Sequence, residues 1–134
     1  MQTWCFTVLQ DQKRIEELKD TIGRVAKENK VYFYGFNNPQ AIVLLSNDRR
    51  NQFAIHDSSC AAENMMLAAH SFGIGSVWSN ALATICDEPE NRQMLDAYGV
   101  PKQHIVYATI AMGYPRVEGR LLAKKQDVIH WVDD

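Results

Sequence analysis

Cysteine is scarce: three occur in 134 residues, Cys5, Cys60 and Cys86, far apart and with no Cys-x-x-Cys pair. An odd, scattered set provides no disulfide framework and no paired-thiol motif. No signal-peptide pattern precedes the first structured stretch, so the expected setting is reducing and cytoplasmic. Long apolar runs are also missing. The longest, residues 41–45 and 105–112, are strand-sized and fall well short of the roughly 18 residues that a membrane helix needs. An excess of one charge is absent too: 14 Lys and Arg against 16 Asp and Glu leave a net charge of −2. That argues against a dedicated nucleic-acid binder, which carries a strong basic surplus. Internal repeats, low-complexity tracts and an interdomain linker are lacking, so residues 1–134 read as a single domain.

What remains suits a globular chain with a real core: 46% of residues are hydrophobic and 22% charged, a balance that excludes wholesale disorder. Residues 3–9, rich in aromatic and β-branched types, predict a strand. Asp11 is placed as a helix N-cap. Ile15, Leu18, Ile22 and Val25 follow at spacings of three and four, with Arg14, Glu17, Lys19, Asp20, Arg24 and Lys27 on the opposite side. This is an amphipathic surface helix of about five turns. Residues 31–40 are aromatic but carry Gly35, Asn37, Asn38 and Pro39, which predicts a turn. Residues 41–45 are uniformly apolar, the pattern of a strand covered on both faces, and 46–50 read as a polar break.

Residues 57–72 predict a helix with Ala61, Ala62, Met65, Ala69 and Phe72 on its inner stripe. Cys60, Met66, Leu67 and Ala68 widen that stripe, so the helix is expected to be mostly buried. Gly73 stops it, and the glycine alternation of residues 73–78 predicts a tight turn into a short extended segment. A short helix over 88–98 is ended by Gly99 and Pro101. Residues 104–112 make the strongest strand. The tail from Arg116 is basic, Arg116, Arg120, Lys124 and Lys125 opposing Glu118, and ends in an apolar stretch, 128–131, fit to dock on something. Helices and strands interleave, which indicates an α/β or α+β sheet with helical cover.

Chemistry is harder to place from residue types alone. His56 and Cys60 share a helical face, as metal ligands can, but no third ligand lies near in sequence and a capping or packing role is the stronger reading. Gly73-x-Gly75 lacks the third glycine of a dinucleotide fingerprint and follows a helix, so it reads as a helix stop and turn. The basic tail fits either a solvated surface or a phosphate grip. Trp78, Ser79 and Asn80 form a polar, aromatic corner after the glycine turn, where backbone N–H groups could face a planar ligand.

Four segments in order resemble the nitroreductase family. The run from Asp57 through Gly73-Ile74-Gly75-Ser76-Val77-Trp78 is similar to the family's central helix and glycine turn. Residues 105–112 followed by Gly113-Tyr114-Pro115 resemble its late strand. Lys124-Lys125 ahead of Val128-Ile129-His130-Trp131 resembles its basic pair and closing segment. Gln2-Thr3-Trp4-Cys5-Phe6 resembles its Gln-Pro-Trp-x-Phe strand, with Thr3 in the place of proline.

The resemblance implies an α+β fold, a mostly antiparallel central sheet covered by helices. It implies FMN as cofactor and NADH or NADPH as electron donor. Hydride would pass through flavin N5 to a nitroaromatic, quinone or similar small-molecule acceptor. Bond-making would belong to the flavin, with no catalytic side chain demanded. Ser76, Val77, Trp78, Ser79 and Asn80 would run along the isoalloxazine, with the Ser79 or Asn80 N–H near N5. Lys124, and beside it Lys125, would pair with the phosphate. Asn64 would be a structural neighbour of the site, and Trp4 would pack in the core beneath the cofactor. A homodimer is implied, with each flavin between subunits, and neither nucleic acid nor membrane as a partner.

The family carries a further N-terminal segment with an arginine-rich phosphate grip, whereas here Met1 stands directly before Gln2. The expectation is an N-terminally shortened domain: either the protein is naturally short, and its flavin site has lost one wall, or the sequence lacks its start. Two alternatives stay open: a shortened, non-catalytic relative acting as a flavin-binding or protein-interaction module, and an unrelated α/β domain holding a phosphate ligand with its basic tail.

Overall fold

A computed structural model describes residues 2–132; Met1, Asp133 and Asp134 lie outside the described residues. The elements run β1 (Trp4–Leu9), α1 (Gln12–Glu28), β2 (Ala41–Asp48), α2 (Ala54–Ser71), β3 (Gly75–Ser79), α3 (Ala81–Ile85), α4 (Pro89–Ala97) and β4 (His104–Gly113). The four strands form one antiparallel sheet in the order β1-β2-β4-β3. Helices cover both faces, giving the α+β architecture with an antiparallel sheet that the family resemblance implies.

Strand alternation sorts the core into two layers. Ile42 and Leu44 face one side, packed with Ile15, Leu18 and Ile22 of α1, Leu82 of α3 and Leu95 of α4. Val43 and Leu45 face the other, with Ala108 and Ile110 of β4 and Ala62 of α2. A strand sandwiched in this way needs apolar residues at every position, which is why residues 41–45 lack alternation. Asp11 caps α1 by accepting the Arg14 N–H at 3.0 Å, so that helix begins where its cap is. Gly73 follows the last turn of α2 with φ +72°, a conformation that closes the helix and that a Cβ disfavours.

Three expectations are corrected. The polar stretch after Leu45 does not break β2: Ser46 and Asn47 continue the strand and are fully buried. Ser46 Oγ lies 3.0 Å from His104 Nδ1 and Asn47 Nδ2 donates to the Ala54 carbonyl at 3.4 Å, while Asn47 Oδ1 has no partner among the described residues. The register shifts between Leu45 and Ser46, leaving Tyr107 as the extra residue of a β-bulge. Next, α2 is not mostly buried. Only Ala54, Ser58, Ala62 and Ala69 are enclosed, while Cys60, Leu67, Ala68 and Phe72 are exposed. One face lies on the sheet, and the opposite face has no cover within the chain. Finally, residues 114–132 form no helix or strand and are exposed throughout, Leu121, Trp131 and Val132 included. The apolar ending therefore docks on nothing in its own protomer. Sequence reading also missed α3, too short for a periodic signature.

His104 gives this arrangement a pH signature. Burial lowers its pKa from the usual 6.5; Asp48 across the ladder opposes this and Arg92 adds to it. The unfolded chain therefore takes up the proton first, and stability falls as pH drops below about 6.5. His104→Gln should flatten the dependence of the urea midpoint on pH between about 7.5 and 5.5; an unchanged slope would assign that dependence to other groups.

Candidate functional site

β3 is an edge strand, so one row of its backbone groups is left unpaired by the sheet. The Tyr34 hydroxyl donates to the Trp78 carbonyl at 3.2 Å, which shows that Trp78 turns its backbone to the open side. In an antiparallel strand the N–H and C=O of one residue point the same way and alternate along the chain. Ser76 shares that orientation. The Trp78 indole Nε1–H donates to Asn80 Oδ1 at 2.6 Å, so Asn80, the residue before α3, makes no side-chain cap for that helix. Ser76, Val77 and Trp78 are half-buried, Ser79 is buried and Asn80 exposed. This is a fixed ledge with outward backbone donors, a donor set suited to the edge of a planar heterocycle.

Beside the ledge lies a cleft of about 410 Å³ lined by residues that include Phe36, Asn38, Gln40, Ser76, Val77, Met112 and Tyr114. A neighbouring cleft of about 530 Å³ runs between His70, Gly73, Ile74 and Gly75 on one side and residues 115–119 on the other. The first stretch of the tail thus leans over the glycine turn.

Of the expected site residues, Ser76 and Val77 line the first cleft, Trp78 and Ser79 continue the same strand beyond it, and Asn80 lies between the strand's end and α3. Lys124 and Lys125 are exposed and line neither cleft. Among the described residues, no ion pair involves Arg116, Arg120, Lys124 or Lys125. Among the described residues, then, the tail is a basic arm with no ion-paired cation. Asn64 is exposed on α2. Trp4 is half-buried at the start of edge strand β1, opposite Asn47, and does not join either core layer; an edge strand covers its residues on fewer sides. His56 and Cys60 lie exposed on α2, His56 set edge-on to Phe53.

Two residues of the site had no signal in the sequence. Tyr34 reaches Trp78 across 44 positions. Gln40 Oε1 accepts the Tyr114 N–H at 3.1 Å across 74. Both depend on long-range register, which local pattern does not encode.

The comparisons with known proteins bear on family and fold. The sequence model of the nitroreductase family matches residues 1–114. A nitroreductase with bound FMN from Bacteroides fragilis is 37% identical; the likeness covers 98% of this chain and 76% of that one, with a TM-score of 0.81. A nitroreductase with bound FMN from Desulfitobacterium hafniense, 16% identical, shares the fold at a TM-score of 0.81 over 98% of this chain and 77% of its own. The protein of Archaeoglobus fulgidus named "Putative NADH dehydrogenase/NAD(P)H nitroreductase" is 28% identical over 123 residues, 87% of this chain and 64% of that protein. This chain spans 64% and 55% of the lengths of the two curated relatives that it matches. With the family model spanning both the ledge and the strand that precedes the arm, the chain belongs to the nitroreductase family.

Proposed function

We propose that this chain is an FMN-dependent oxidoreductase that uses NADH or NADPH to reduce a small acceptor such as a nitroaromatic or a quinone. The observation that carries this reading is its likeness, at 37% identity over 98% of its length, to a nitroreductase with bound FMN. Bound FMN would supply the redox chemistry, taking hydride at N5 from the nicotinamide and passing it to the acceptor.

The chain's own residues supply position and electrostatics. Ser76, Val77, Trp78, Ser79 and Asn80 would lie along the isoalloxazine, with the N–H of Asn80 toward N5, since alternation along β3 turns the Ser79 N–H back to β4. Trp78 is held by its bonds to Asn80 and Tyr34, so the ledge needs little reorganisation on binding. Lys124 and Lys125 pair with the phosphate through charge-assisted hydrogen bonds. No side chain is assigned to proton abstraction.

A homodimer completes the site in this reading. α2 and the residue that follows it expose Ile55, Leu67 and Phe72, and the arm exposes Leu121, Leu122 and Trp131. Apolar area of that kind is covered in a subunit interface. The three free cysteines support a reducing, cytoplasmic setting. Among the described residues no helix is long and apolar enough to cross a membrane.

The test is direct. Purified protein supplied with FMN should retain about one flavin per chain, become yellow and oxidise NADH or NADPH when a nitroaromatic or quinone is present. Protein that stays colourless in excess FMN overturns the proposal. The placement of Lys124 and Lys125 outside both clefts favours one second reading, a flavin-binding or protein-interaction module without turnover. Stoichiometric FMN with no steady-state NAD(P)H oxidation would select it.

A further inference from the structure

We propose that Gln40 is a positioning residue that aims the basic arm, and through it the phosphate-binding lysines, by clamping the chain at Gly113 and Tyr114. The proposal rests on the reading of Lys124 and Lys125 as the phosphate grip and adds the element that directs them.

Gln40 is the last residue before β2, and it holds the end of β4 with both its main chain and its side chain. Its backbone N–H donates to the Met112 carbonyl at 2.9 Å. Its side-chain Oε1 accepts the Tyr114 N–H at 3.1 Å. Gly113 lies between the two bonds, and the carboxamide occupies the space where a side chain would stand: a Cβ on Gly113 would fall 2.1 Å from Gln40 Oε1 and 3.2 Å from Cδ. A side chain here would displace the flexible end of Gln40, so glycine is what leaves room for the clamp, with no unusual φ involved.

Immediately afterwards Pro115 fixes one backbone dihedral. Its ring lies beside Gly75, 3.7 Å from where a Cβ of Gly75 would be. The direction of the chain is thus set over two residues, one bonded to Gln40 and the next packed on the glycine turn. Beyond Tyr114 every described residue is exposed and without helix or strand, so nothing downstream within the protomer corrects an error made at the root. Ten residues separate Tyr114 from Lys124, up to about 35 Å of chain when extended. A change of direction of roughly 20° at the root would move the far end by about 12 Å, more than any phosphate hydrogen bond can span.

A clamp that aims the arm has a signature that a mere sheet terminator lacks. It should matter for FMN and not for riboflavin, which has the same ring and no phosphate. Two variants break the clamp independently. Gln40→Leu keeps the volume and removes the acceptor. Gly113→Ala leaves Gln40 in the sequence and displaces its carboxamide. Gln40→Glu keeps an oxygen acceptor and serves as the rescue.

Flavin titrations of the full chain should give a dissociation constant for FMN raised about tenfold in Gln40→Leu and Gly113→Ala, the scale of one lost hydrogen bond. Riboflavin affinity should be unchanged, and Gln40→Glu should bind FMN like the parent. Hydrogen exchange of the Tyr114 amide, measured without flavin, should accelerate in the first two variants only. Equal weakening toward FMN and riboflavin, or unchanged FMN affinity, overturns the proposal. So does unaltered Tyr114 exchange. A parent protein that binds neither flavin overturns the proposed function instead, while the exchange measurement still judges the clamp.

Discussion

Leu44→Ala should lower the unfolding free energy by about 3 kcal/mol, within the range of roughly 2–5 kcal/mol for buried leucine truncations. Leu44 is completely buried, in a strand paired on both sides, and faces the layer built from α1, α3 and α4. Its neighbours are anchored to the sheet or to one another, so the surroundings have little freedom to close over the space left behind. A domain of this size has only about 5–15 kcal/mol in total, and the loss should be plain in urea unfolding at fixed protein concentration. A change below 1 kcal/mol would mean that α1 settles into the gap, and that the layer is softer than its complete burial implies.

The second large effect concerns the arm. Replacing Lys124 and Lys125 together by alanine should raise the dissociation constant for FMN by roughly 10- to 100-fold, as charge-assisted bonds to a phosphate are among the stronger polar contacts. Riboflavin affinity should stay within about twofold, and the difference between the two flavins should shrink with added salt. Fluorescence titration of both flavins reads this directly. If the double variant holds FMN as the parent does, the grip lies elsewhere, with Arg116 and Arg120 the nearest remaining cations of the arm.

Elements with a local signature were readable from the amino-acid sequence. The stripe Ile15, Leu18, Ile22 and Val25 marked α1, and all four side chains are buried where it predicted. Gly73 and Gly99 marked helix ends, and both adopt positive φ. The uninterrupted apolar run of β2 correctly implied cover on both faces. Properties set by distant partners were not readable. Ser46 and Asn47 look like a loop until their contacts with His104 and Ala54 are seen. Burial of α2 was overestimated because composition reports what a helix could cover, not what the single chain provides to cover it. In the candidate site, a family motif pointed to Ser76 to Asn80, and Ser76 to Ser79 fall on edge strand β3 with Asn80 just past its end. Gln40 and Tyr34 had no such motif, and their roles exist only once β2, β3 and β4 are in register.

The uncovered arm also bears on the fate of a newly made chain. Until it is sheltered, it offers Leu121, Leu122, Val128, Ile129, Trp131 and Val132 to chaperones, and Arg116, Arg120, Lys124 and Lys125 to trypsin-like proteases. In the proposed homodimer, sheltering by the second subunit would obey mass action. Cellular half-life should therefore lengthen with expression level, with scarce protomers being cleared by quality control before abundant ones.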